Sequence, residues 1–147
     1  MINSIHHTSF TVSDMDRSIA FYRDLLEMKL DWDSKEAGMA FKGPVHERIT
    51  QCPGTEARIA FMSMGEAVLE LVEYTPTGKA LIDNKAGDTG SAHLCFRTGD
   101  INELYEKLST NGVVLHCSPQ NNERAWVFYF RDPDGIILEA TQPHAPA

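Results

Sequence analysis

The chain repeats itself weakly, and the repeat puts the same two costly residue types at matching points. His7-Thr8-Ser9-Phe10 opens one segment and His93-Leu94-Cys95-Phe96 another, and each is followed at the same offset by an aspartate and a hydrophobe, Asp14-Met15 and Asp100-Ile101. Near the end of each segment comes an apolar run holding a single carboxylate, Val68-Leu69-Glu70-Leu71-Val72 and Ile136-Ile137-Leu138-Glu139-Ala140. An ionised carboxylate is expensive to place in apolar surroundings without a partner or a metal. Two strand glutamates, each matched to a histidine, point to one shared ion.

Periodicity gives both halves the same order of elements. Residues 5–12 alternate as a half-buried strand, so that His7, Ser9 and Thr11 share one face and Thr8, Phe10 and Val12 the other. Ser13 or Asp14 caps a helix over residues 16–26, where Ile19, Tyr22, Leu25 and Leu26 recur at helical spacing. Strand patterns follow at 28–33 and 39–42. Pro44, Pro53 and Gly54 mark residues 43–56 as a long loop, and 58–64 with 67–74 form a hairpin turning at Gly65-Glu66. The linker, 76–90, is rich in glycine and has room for a helical turn over 79–84. The second half then predicts a strand at 92–98, Asp100 capping a helix at 101–110, and Gly112 as a stop signal. Strands at 113–117, 125–130 and 136–141 complete it, with a polar loop at 118–124 and a turn at Asp132-Pro133-Asp134-Gly135. The chain from Gln142 reads as a frayed tail.

At 147 residues the chain is long enough to bury one real core, and a single domain over 1–147 is the expectation. A formal charge of −8 argues against nucleic acid, whose phosphates call for clustered Lys and Arg. No stretch is long and apolar enough to span a bilayer, and no basic leader precedes the first strand. Cys52, Cys95 and Cys117 are odd in number and lack metal-type spacing, which fits reduced thiols and a cytoplasmic setting. A small-molecule partner is the expectation.

Alternation also sorts the site. His93, Cys95 and Arg97 share a face; Glu70 points with Val68 and Val72, and Glu139 with Ile137 and Thr141, while Leu69, Leu71, Leu138 and Ala140 face the helices. If the half-sheets are related by a pseudo-twofold axis, His7, Glu70, His93 and Glu139 meet at one point. Imidazole with carboxylate suits one divalent ion of Zn, Ni, Mn, Fe or Co, with a coordination position open to substrate. His6 falls off the cavity, Cys95 reads as a small buried hydrophobe, and His116 as an exposed histidine. Trp126, Phe128, Tyr129 and Phe130 supply cavity wall or core, and Arg124 or Arg131 either meets a substrate carboxylate or is a surface charge. The 43–56 loop closes over the pocket or contacts a second copy.

These segments resemble the vicinal oxygen chelate superfamily, which includes glyoxalase I, extradiol dioxygenases and antibiotic-resistance proteins. The matching residues are Ile5 through Val12 with Asp14 and Phe21-Tyr22, then Leu69-Glu70-Leu71, Ala92-His93-Leu94, and Arg131-Asp132-Pro133-Asp134-Gly135 leading to Leu138-Glu139. The resemblance implies an α+β fold of two βαβββ modules forming a curved, barrel-like mixed β-sheet with helices outside. The modules are expected at 5–75 and 91–142, with the tail at 143–147. It carries the metal role to His7, Glu70, His93 and Glu139 one by one. It further implies a metal-dependent, glyoxalase-like lyase or isomerase working through a metal-stabilised enediolate, with Glu70 or Glu139 moving the proton, in a homodimer. An Fe(II) extradiol-type dioxygenase and a non-catalytic drug- or metabolite-binding resistance protein are the alternatives. Thr11 stands where glutathione-using members tend to carry arginine, so glutathione is not carried over as co-substrate.

Overall fold

Two aspartates, Asp14 and Asp100, each start a helix in the computed structural model, which describes residues 1–80 and 83–144. Asp14 is extended and its Oδ1 accepts the backbone N–H of Arg17 at 3.0 Å. Asp100 is extended too and its Oδ1 accepts two, from Asn102 and Glu103, both at 3.0 Å. Each thereby satisfies helix-terminal donors that have no partner inside the helix. The chain divides into two compact units between Lys79 and Ala80, inside the linker.

The first unit runs β1 (Thr8–Val12), α1 (Met15–Ala20), β2 (Lys29–Asp33), β3 (Phe41–Lys42), α2 (Pro44–Thr50), β4 (Glu56–Met64) and β5 (Ala67–Thr75). Its sheet has the order β1-β5-β4-β2, with β3 also on β4. The first and last strands of the module pair in parallel, which sets Ser9 beside Glu70, and the other pairings are antiparallel. One face carries Val12, Ala60, Met62, Leu69 and Leu71; α1 adds Met15 and Ile19, and the turn that follows it adds Tyr22; all are buried. Burying each large side chain is worth about 1.5–3 kcal/mol, and this layer is the core of the unit.

The second unit runs β6 (His93–Arg97), α3 (Ile101–Thr110), β7 (Gln120–Asn121), β8 (Ala125–Arg131) and β9 (Ile137–Pro143), with the sheet order β6-β9-β8-β7. Again the first and last strands pair in parallel, with Cys95 beside Glu139. Ile101 and Leu108 of α3 join Phe128, Phe130, Leu138 and Ala140 as its core. Both sheets are mixed and both units carry helices, so the α+β class stands.

Several local expectations change. Residues 43–56 hold a helix, because Pro44 sits at its first position, where a missing N–H costs nothing. The helix begun at Met15 finishes as a π-helical turn over Phe21–Leu25. The strand expected at 113–117 reduces to one bridge, Leu115 with Phe130, supported by hydrogen bonds from His116 N–H to the Tyr129 carbonyl and from Arg131 N–H to that of Val114. The loop at 118–124 contains β7. Gln142 is not frayed: β9 pairs it with Trp126, and its Oε1 accepts the Ile101 N–H at 2.9 Å. The helical turn expected over 79–84 includes residues 81 and 82, which with 145–147 lie outside the described residues.

One polar network had no signature in the sequence. Asp33, 4% exposed, takes two bonds from Arg58, Nη2 to Oδ2 at 2.6 Å and Nε to Oδ1 at 3.1 Å. Arg58 also reaches Asp16 at 2.8 Å. The guanidinium holds both carboxyls below the usual carboxylate range.

Candidate functional site

The four residues expected to hold the ion fall as two histidine–glutamate pairs, one in each unit. His7 stands just before β1, and its Nε2 lies 3.4 Å from Oε2 of Glu70 on β5. His93 is the first residue of β6, and its Nε2 lies 2.9 Å from Oε2 of Glu139 on β9. The parallel pairing within each module creates this approach, because it sets the start of the first strand within two residues of the glutamate: Thr8 pairs with Leu69 and His93 with Ile137. The glutamate side chains are 15% and 18% exposed, shielded yet reachable. Among the described residues no group of three or more His, Cys, Asp or Glu side chains gathers in a metal-binding arrangement, so each unit by itself brings two donors.

The surroundings of the two pairs differ. Phe61 is the β4 partner of Glu70, and its ring meets His7 edge-on at 5.7 Å and Trp32 at 6.0 Å. Tyr129 is the β8 partner of Glu139, with its ring 5.1 Å from His93 and 6.0 Å from His116. Burial, and then the Glu139 charge, push the Tyr129 hydroxyl up. Cys95 is exposed as a residue, which corrects the reading of a small buried hydrophobe. Its sulfur is nonetheless shielded enough that desolvation, with Glu139, pushes the thiol up to about 11. It stays protonated near neutrality, a poor nucleophile.

The remaining candidates fall as follows. His6 is exposed, as expected of a residue off the cavity, but its Nδ1 lies 2.8 Å from Nδ1 of His7, a hydrogen bond that helps orient the His7 ring. His116 is exposed, as expected, but accepts a bond from Arg131 Nε at 2.9 Å. Partial burial and then the Arg131 charge hold its pKa below the ordinary histidine value. Arg131 also donates to both Asn84 oxygens and to the Gly135 carbonyl, so it ties the linker to β8, which argues against a substrate-facing role. Along β8, Phe128 and Phe130 are core, Trp126 is exposed, and Tyr129 sits with Glu139.

The sequence reading set residues 43–56 over the pocket or against a second copy, but missed that they line a pocket as a helix. Between α2 and the sheet of the first unit lies a space of about 410 Å³ lined by Phe41, Val45, Ile49, Ile59, Val72 and Tyr74 among others, with Glu70 in its wall. The signal available was Pro44 followed by Val45 and Ile49, one helical turn apart.

A model of the glyoxalase/bleomycin resistance protein/dioxygenase superfamily matches residues 4–140. The chain belongs to that superfamily. It is 30% identical over 142 residues to a Synechocystis sp. protein named "Probable lactoylglutathione lyase", covering 92% of each chain. It is 27% identical to the lactoylglutathione lyase of Salmonella typhimurium, covering 90% of this chain and 87% of that one. It is also 27% identical to the glyoxalase I of Saccharomyces cerevisiae, where 92% of this chain spans only 43% of the yeast protein. Solved superfamily folds agree. A glyoxalase family protein from Bacillus cereus superimposes with a TM-score of 0.84 at 21% identity, covering 99% of this chain and 97% of that one. The fosfomycin resistance protein FosX of Mesorhizobium loti does so with 0.65 at 17%, covering 96% and 92%. Among the described residues no helix is long and apolar enough to cross a membrane.

Proposed function

We propose that the chain is a metal-dependent, glyoxalase-like lyase or isomerase acting on a small oxygenated organic substrate. The observation that carries this reading is the pair of His–Glu contacts, Nε2 to Oε2 in both, at matching places of two modules. The donor chemistry fits a divalent ion of Zn, Ni, Mn, Fe or Co: an imidazole nitrogen and a shielded carboxylate oxygen aimed at each other are ligand types these metals accept. His7, Glu70, His93 and Glu139 would hold it, and when bound it supplies Lewis acidity toward substrate oxygens.

Two donors in each unit leave an ion under-coordinated, so the pairs act together, and a homodimer is the assembly we propose for the protein. Glu70 or Glu139 moves the proton at the substrate carbon, since a carboxylate needs only hydrogen-bond reach to do so. His6 and Tyr129 keep the histidine rings in place. Relatives named lactoylglutathione lyase and a Listeria monocytogenes FosX variant solved with manganese(II) support both the lyase chemistry and the metal. The three free cysteines support a cytoplasmic setting.

Elemental analysis of the purified protein tests the reading. Near one equivalent of a transition metal, lost in Glu70→Gln together with turnover of diketone or hemithioacetal substrates, is the expected result. Absence of stoichiometric metal, with no thermal stabilisation on adding Ni, Zn, Mn or Fe, overturns it in favour of a binding protein. Oxygen uptake with catechols overturns it in favour of a dioxygenase.

A further inference from the structure

We infer that the space under α2 is a binding subsite for an apolar group, an alkyl chain or aromatic ring, carried by the substrate. The assignment to a substrate rests on Glu70 being part of the reactive site, as proposed above. The space of about 410 Å³ falls in the range of small-molecule pockets, roughly 300–1,000 Å³. Its wall is built by aliphatic and aromatic side chains, and Glu70 sits in that same wall. A molecule with its oxygens at Glu70 therefore has its remaining bulk directed against hydrocarbon.

Three polar side chains of the pocket wall are engaged with other protein groups. Lys42 pairs with Glu56 at 3.0 Å, Thr50 Oγ1 donates to the His46 carbonyl at 2.9 Å, and the His46 ring lies against Tyr74 at 5.9 Å with Nε2 3.4 Å from Thr55 Oγ1. A charged, peptide-like substituent would find these groups already paired and would bury its own charge uncompensated. The helix that roofs the pocket buries none of its residues, and Val45 and Ile49 are 61% and 76% exposed. An apolar group beneath them removes that surface from water. Gly43 at φ 81° and Gln51 at φ 58° bracket the helix, so it joins the sheet through sharp turns at both ends.

The test titrates nitrogen-15-labelled protein with straight-chain alcohols from butanol to octanol, which carry no vicinal oxygens. The same protein with added Ni²⁺ then receives 2-oxo acids of the same chain lengths. The expected result is amide shifts at Val45, Ile49, Ile59 and Val72, with affinity rising about four-fold per added methylene in both series. Ile49→Asp, an exposed change that leaves the core alone, is expected to remove most of the chain-length gain, and Ile59→Trp to do the same by filling the space. Affinity independent of chain length, or shifts elsewhere that Ile49→Asp leaves unchanged, overturns the subsite. Alcohols that bind as described while the oxo acids gain nothing from Ni²⁺ uphold the pocket and sink the metal reading instead.

Discussion

The two modules share a skeleton and differ in the walls they build around it. Each starts from an aspartate-capped helix, pairs its first and last strands in parallel, and sets a histidine against a glutamate. Around Glu70 stand Ser9, Phe61 and the rings of Trp32 and Phe41, with an apolar pocket alongside. Around Glu139 stand Cys95, Tyr129 and, beyond Tyr129, the His116–Arg131 pair. The doubled backbone gives each half the same two donors, while the facing residues give one half an apolar surface and the other a hydrogen-bonding one. The two halves therefore offer the same pair of donors in different surroundings.

The largest expected effect separates the glutamates. Glu70→Gln and Glu139→Gln should both stay folded, and each should lower turnover by about 10²–10⁴-fold, the usual worth of a positioned acid–base group. Glu70→Gln is expected to cost more, because Glu70 borders the pocket inferred above to take the apolar part of a substrate. Steady-state rates decide it, and equal losses would show the halves to be chemically interchangeable.

Stability contrasts next, through the two arginines. Arg58→Ala strands Asp33, whose side chain is 2% exposed, and removing one partner of a buried pair costs about 3–5 kcal/mol. Arg131→Ala gives up bonds to carbonyls, to the Asn84 side chain and to His116 but leaves no carboxylate stranded by its loss, for about 1–2 kcal/mol. Trp32 and Trp126 report one unit each, so urea unfolding followed by fluorescence of single-tryptophan variants reads the halves apart. A smaller contrast lies in the caps. Asp100 accepts two backbone donors where Asp14's Oδ1 accepts one, so Asp100→Ala should cost about 1–2 kcal/mol and Asp14→Ala about half that. The reverse order in the same assay would mean that tertiary packing, not capping, fixes these helix starts.

What the sequence made legible was whatever the repeat or a local signal encodes. The capping aspartates, the hairpin turning at Gly65, the helix Ile101–Thr110 and both His–Glu pairs were readable because their cause lies within a few residues or in the matching half. The α2 helix was not, since it buries no residue and its apolar spacing is the single pair Val45 and Ile49, too little to outweigh Pro53 and Gly54. The Asp33–Arg58 pair spans 25 positions and depends on the register of β2 with β4, which alternation alone does not set. The strand at 113–117 failed for the opposite reason: Val113-Val114-Leu115 looks extended, but only Leu115 bridges to β8. The role of Arg131 stayed open between substrate contact and surface charge because its acceptors are backbone carbonyls and Asn84 in the linker, groups that carry no sequence signature.

The smallest effect tests whether the polar half is the more acid-sensitive. His116 has its pKa lowered in the folded protein by burial and by Arg131, so folding favours the neutral ring. Above the unfolded value of about 6.5 both states are neutral and nothing changes. As pH falls through that value the unfolded chain takes up the proton first, and stability of the second unit declines until the folded pKa is passed. Asp33, lowered by Arg58, runs the other way: its contribution is complete above the unfolded carboxylate value of about 3.9 and is lost only as pH drops through the folded one. Unfolding midpoints taken between pH 7 and 3 should therefore fall first at the Trp126 reporter and later at Trp32. His116→Phe, with no proton to gain, should flatten the early decline at Trp126 and leave the Trp32 curve in place. An early decline that survives this substitution would assign the sensitivity to other groups of the second unit and end the contrast drawn from His116.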